Sequence, residues 1–267
     1  RGDWVPVRSR SSLELTSSVY FFVDASILAR AAELFGRSED HTRYAALAEK
    51  IRTAINRKYY DPQTGLYANG TQTELSVPLL WGVVPEEEIP RVAENLARRV
   101  DVGVLGARAI LDALCRNGHA ETAYRVAVQT TYPSWGWWIV NGATTLLENW
   151  DLEATRDISD NHMMFGEIGS WFFKGLGGIR PDPARPGFRH ILLEPHFVGP
   201  ERFEASHDAP AGRIVSGWER KGGRVTYRVV IPANCTATLH LPDNVKGPRV
   251  YELAAGSHTL TLKLSGR

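Results

Sequence analysis

Gly177-Gly178-Ile179-Arg180-Pro181-Asp182-Pro183-Ala184-Arg185-Pro186-Gly187 divides this chain into two kinds of text. The three prolines from Pro181 to Pro186 can neither continue a helix nor sit inside a central strand, so 180–187 reads as a linker. Upstream, from about Ser11, the text is helical. Val19, Phe22, Val23, Ile27 and Ala31 recur at the i, i+3, i+4 spacing of an amphipathic helix, and Gly36 offers a stop. A second helix through Tyr44, Leu47, Ala48, Ile51 and Ile55 runs to the turn signal Asp61-Pro62-Gln63-Thr64-Gly65. The spacing predicts further helices over 73–81, 85–100, 105–115, 120–129, 142–148 and 161–176. Downstream the period changes to two. Strands are predicted over 188–193, 213–220, 224–231, 236–241 and 258–264, with Lys221-Gly222-Gly223 as a hairpin turn. Helices paired without intervening strands fit a helical toroid, with a simple bundle as the alternative; the downstream strands fit a small β-sandwich.

The composition narrows the function. Among 267 residues, Lys+Arg 31 against Asp+Glu 30 leaves a net charge of +1, so no basic excess exists for nucleic acid or an anionic membrane surface. No apolar run approaches the roughly 18 residues of a membrane span. Cys115 and Cys235 are the only cysteines, too few for a disulfide framework or a cysteine zinc site. His190, His196, His207, His240 and His258 are scattered without metal spacing, and no metal or cofactor is expected. No Gly-rich phosphate loop, no G-x-S-x-G elbow and no H-E-x-x-H helix occurs. The opening Arg1-Gly2-Asp3-Trp4 reads like the middle of a longer text, so the compartment is unread.

What remains is an aromatic concentration. Five of the 8 Trp residues fall between Trp135 and Trp171. Pro133 and Gly136 argue against a regular helix through Tyr132-Pro133-Ser134-Trp135-Gly136-Trp137-Trp138. These indoles are either a plug closing one end of the helical domain or a platform for sugar rings. Next, Gly142, Thr144 and Thr145 are placed at the start of a helix that carries Glu148. A helix-surface role competes with that of a pocket carboxylate whose burial would raise its pKa toward values useful in proton transfer. His162 is expected in the first turn of the following helix as a neutral, hydrogen-bonding side chain. Asp3-Trp4 pairs another carboxylate with an indole, and Gly70-Thr71-Gln72-Thr73 reads as a capped helix entrance.

Together these residues resemble the bacterial α-L-rhamnosidases of glycoside hydrolase family 78. The likeness is carried by Tyr132 to Trp138, by Asn141-Gly142-Ala143-Thr144-Thr145 with Glu148 and Trp150, and by Asn161-His162 with Met164-Phe165-Gly166-Glu167-Ile168-Gly169. Gly2-Asp3-Trp4, Gly70 to Thr73, Asp101-Val102-Gly103 with Leu105-Gly106, and Gly177-Gly178-Ile179 follow the same order. The resemblance implies a mainly α fold with a smaller all-β domain: an incomplete (α/α)6 helical toroid over 1–179, then an antiparallel β-sandwich over 180–267. It implies removal of terminal α-L-rhamnose from a rhamnose-containing oligosaccharide or glycoside by single-step inversion. Glu148 would be the general base, and His162, Trp4, Asp3 and Trp135 would contact or line the sugar. The family's general acid lies upstream of the Gly-Asp-Trp landmark, where this sequence has only Arg1. The chain therefore reads as the C-terminal part of such an enzyme, weak or inactive alone, with apolar flanks of inner helices left uncovered. A non-catalytic carbohydrate-binding module and an (α/α)6 exo-glycosidase of other sugar preference stay open as alternatives.

Overall fold

The computed structural model describes residues 2–7, 10–98 and 104–265. Asp101, Val102 and Gly103 of the landmark above lie outside the described residues. The chain separates into two compact units, Arg1–Gly166 and Glu167–Arg267.

The first unit is helical. It contains α1 (Leu13–Leu34), α2 (Ser38–Tyr59), α3 (Gln72–Leu80), α4 (Ile89–Ala97), α5 (Val104–Arg116), α6 (Ala120–Val128) and α7 (Trp135–Val140). A two-strand hairpin, β1 (Tyr60–Asp61) with β2 (Leu66–Tyr67), spans the predicted Asp61–Gly65 turn. α1 and α2 lie side by side. Gly36, at φ +65°, ends α1 in a Schellman motif: its N–H and that of Arg37 return to the carbonyls of Glu33 and Ala32. α3 is the innermost helix, with every residue from Gln72 to Leu79 buried, and it packs on α1, α4 and α5. Burial on all sides explains why its short sequence shows little amphipathic pattern. α1 leaves Phe21, Ile27, Leu28 and Leu34 exposed, and Phe35 just past its end is exposed as well.

Two expectations about helices are corrected. Trp135–Val140 is helical, because Pro133 lies outside it and Ser134 caps it, accepting a hydrogen bond from Trp137 N–H. Over 142–148 there is no helix. Gly142, at φ +91°, closes α7 instead, with the N–H groups of Gly142 and Ala143 returning to the carbonyls of Ile139 and Trp138. Glycine in the left-handed region belongs just past a helix end, not at a helix start.

In the second unit the predicted helix over 161–176 resolves into α8 (Glu167–Trp171) and a π-helical turn, Phe172–Leu176; a 3₁₀ turn, Met163–Gly166, ends the first unit. The strands are β3 (Ile179–Pro181), β4 (His190–Leu193), β5 (Arg202–Ala209), β6 (Gly212–Lys221), β7 (Arg224–Ile231), β8 (Thr236–His240), β9 (Val245–Lys246), β10 (Val250–Leu253) and β11 (Gly256–Leu264). They form a four-stranded sheet, β10-β8-β4-β3, and a five-stranded sheet, β5-β6-β7-β11-β9. Pairing is antiparallel except between β4 and β8. Lys221 pairs with Arg224 across Gly222 and Gly223, both at positive φ as a two-residue hairpin turn requires. Ile191, Leu193, Ala237 and Leu239 of one sheet share a core with Ile214, Trp218, Val225, Tyr227 and Val229 of the other.

Candidate active site

Glu148 sits in the loop after α7, and the loop's two arms are tied by their backbones. Glu148 N–H donates to Ser159 O (2.9 Å) and His162 N–H donates to Leu146 O (2.7 Å), while Thr145 Oγ1 donates to Asp160 O. Asn149 and Asp151 accept from backbone N–H groups two residues on, a local pairing that competes with helix. This brings His162 opposite Glu148, with Nε2 3.8 Å from Oε1. His162 precedes a 3₁₀ turn and is not in the first turn of an α-helix. Its Nδ1 is buried without a hydrogen-bond partner among the described residues, and the backbone bond to Leu146 fixes where the residue enters the site.

The carboxylate is held from two sides. Trp4 Nε1–H donates to Glu148 Oε1 (2.9 Å), and Ser159 N–H donates to Oε2 (3.3 Å). Trp4 and Glu148 thus meet from opposite ends of the helical unit's sequence. The Trp4 indole N–H holds the carboxyl below the ordinary glutamate value; partial burial opposes this, and the Ser159 N–H and His162 add to the lowering. The expected upward shift is therefore corrected. Two N–H donors favour the charged form by more than partial desolvation disfavours it. Glu148 keeps 15% of its side chain accessible, and His162 keeps 23%.

Asp3 and Trp135 are placed otherwise. Asp3 is 4% exposed, with Oδ1 accepting from the N–H groups of Trp4 (2.7 Å) and Leu105 (3.0 Å) and Oδ2 from Thr73 Oγ1 (2.5 Å). Trp135 is buried with Trp138, Trp150 and Phe165. Trp138 stacks on Trp150 at 4.5 Å, and Trp135 Nε1–H donates to Phe165 O. These three indoles pack together as a buried plug, and Trp135 is enclosed in it. Trp137 is half-buried against Tyr132.

Beneath the site lies a web the sequence did not disclose. Thr71 caps α3 in a reciprocal capping box with Glu74. Fully buried Glu74 also accepts from Ser12 N–H (2.7 Å), and Ser11 Oγ meets Thr71 Oγ1 at 2.7 Å. The Thr71-x-x-Glu74 spacing signals the cap; nothing in the sequence signals its reach to α1. Ser159 serves through its backbone, its N–H donating to Glu148 Oε2 and its carbonyl accepting from Glu148 N–H. Among the described residues no three His, Cys, Asp or Glu side chains assemble as metal ligands would.

Residues 1–176 match the bacterial alpha-L-rhamnosidase 6 hairpin glycosidase domain, and residues 178–254 match the bacterial alpha-L-rhamnosidase C-terminal domain. The chain belongs to the bacterial α-L-rhamnosidase family. Its relatives include an alpha-L-rhamnosidase of Streptomyces avermitilis, 28% identical over 98% of this chain. The fold is shared with the alpha-L-rhamnosidase of Dictyoglumus thermophilum (TM-score 0.88, 30% identity, 98% of this chain and 34% of that one). It is shared too with the Streptomyces avermitilis enzyme solved in complex with L-rhamnose (TM-score 0.88, 28% identity, 98% of this chain and 28% of that one). The chain thus spans about a third or less of the length of those relatives.

Proposed function

We propose that this chain carries the general base of an inverting α-L-rhamnosidase, and that the base is Glu148. The reading rests on one observation: Glu148 is kept ionised by Trp4 and Ser159 N–H donors, with one edge open beside His162. A carboxylate so held takes a proton from a water placed between it and the anomeric carbon. The new C–O bond forms as the bond to the leaving oxygen breaks on the opposite face, which inverts the configuration. Lowering the pKa makes Glu148 a weaker base but keeps it deprotonated and ready. His162 and Trp4 line the sugar's place, while Trp135 supports the loop from within the core. The substrate is a terminal α-L-rhamnoside, in keeping with the name shared by the relatives and the L-rhamnose bound by one of them.

The leaving oxygen also needs a proton, and no residue of this sequence is assigned as the acid. A positioned acid contributes roughly 10²–10⁴-fold, so the chain alone is expected to turn over natural rhamnosides slowly or not at all. A dinitrophenyl α-L-rhamnoside removes that requirement, because its leaving group departs unprotonated. Wild-type chain should release dinitrophenolate with β-L-rhamnose as first product, and Glu148→Gln should be slower by roughly 10²-fold or more. Equal release by both proteins would end the assignment of Glu148.

A further inference from the structure

We infer that Asp3 is a positioning residue for the base: it fixes the backbone of Trp4 so that the indole N–H meets Glu148, and it does not itself touch the sugar. The inference rests on the reading of Glu148 as base and adds how that base is held. Asp3 is buried, and both its oxygens accept hydrogen bonds, Trp4, Leu105 and Thr73 being donors among the described residues. A buried carboxylate is tolerated only when so satisfied. The Leu105 N–H is a first-turn donor of α5, one that no helix can satisfy internally, and Thr73 stands in the first turn of α3. One negative side chain therefore bridges the positive ends of two helices.

The neighbours on both sides are also constrained. A Cβ on Gly2 would stand 1.7 Å from Ser11 O, so the chain runs hard against the start of α1. Val5 has φ +49°, a conformation that a β-branched residue adopts only under constraint. Between them Trp4 reaches Glu148. Without Asp3, Trp4 loses its backbone anchor, and Glu148 loses the first of its two N–H donors.

The test needs no turnover, so it can fail while the assignment of Glu148 as base stands, and the reverse. In an indole ¹⁵N–¹H spectrum of the whole chain, Trp4→Phe identifies the Trp4 resonance. That resonance is followed from neutral pH into acid. It should move as Glu148 titrates and stay still in Glu148→Gln. In Asp3→Ala the transition should shift up toward the ordinary carboxylate value or disappear. Loss of a neighbouring negative charge alone would shift it down, which separates positioning from simple electrostatics. Thr73→Val keeps the charge of Asp3 and should shift the transition in the same upward direction, and Thr73→Ser should restore it. A Trp4 resonance that titrates as in wild type in Asp3→Ala or Thr73→Val overturns the inference, as does one unaffected by Glu148→Gln. Should Asp3→Ala fail to fold, the two Thr73 variants decide.

Discussion

Around Trp218 in the β unit the interior is nearly all apolar: Ile191, Leu193, Phe197, Ile214, Val225 and Val229 surround it or continue its core. Its polar contacts are few: Trp218 Nε1–H donates to Leu176 O, and Ser216 Oγ lies between Gly177 O and Tyr227 OH. Around Glu74 in the helical unit the interior is polar and connected. Ser11 meets Thr71, Ser12 meets Glu74, Thr73 and Leu105 meet Asp3, and Trp4 next to Asp3 meets Glu148. The first arrangement maximises burial. The second accepts the cost of burying polar groups to place one carboxylate, and a web of that kind is what a catalytic group requires.

Trp218→Ala tests the apolar side of this contrast and should have the largest effect. Removing a fully enclosed indole should destabilise by about 3–5 kcal/mol, read as a shift in the denaturation midpoint at unchanged slope. A loss below about 1 kcal/mol would mean that the β core collapses onto the space and is less tightly packed than its geometry suggests.

Glu74→Ala tests the polar side. It leaves the Ser12 and Thr71 N–H groups without their acceptor, at about 1–3 kcal/mol for donors left unpaired in the interior. Glu74→Gln keeps one acceptor oxygen and should lose less. Equal losses in the two variants would make the charge the important feature, and a neutral Glu74→Ala would dissolve the contrast between the units.

The contrast also explains what the sequence disclosed. Val225, Tyr227 and Val229 alternate with Thr226 and Arg228, and Gly222-Gly223 gives the turn, so β7 and its hairpin were legible from local text. β5 was missed because it is an edge strand rich in charged and polar residues, with Phe203 and two small residues, Ala205 and Ala209, as its inward apolar signals. α1 and α2 were legible from their period. The loop from Gly142 to His162 was not, because its shape comes from a helix end and from backbone bonds across a dozen or so residues. Glu148, His162 and Trp4 could be singled out by motif. That Asp3 would be enclosed and that Ser159 would serve through its N–H could not, since backbone donors leave no mark on residue type, whereas the aromatic density left the buried plug around Trp135 open as one of two readings.

The smallest expected effect concerns acid. Both units hold carboxyls below their ordinary values, but by different means. Asp208 in β5 is lowered by exposed Arg213 beside it, and Glu148 by Trp4 from the far end of the helical unit's sequence. For each, the folded value lies below the unfolded one, so the folded state binds fewer protons in the acid range. The stabilisation is complete above the unfolded value, 4.5 for Glu148, and is lost as the pH falls through the lowered folded value. Glu148→Gln should therefore flatten the acid limb of a melting-temperature profile below about pH 5 and leave its neutral part little changed. Asp208→Asn should leave the whole profile nearly unchanged, because its partner is solvent-screened. Should Asp208→Asn flatten the acid limb as much as Glu148→Gln does, the long-range hold by Trp4 would be worth no more than a surface pair, and the polar web beneath the site would lose its energetic meaning.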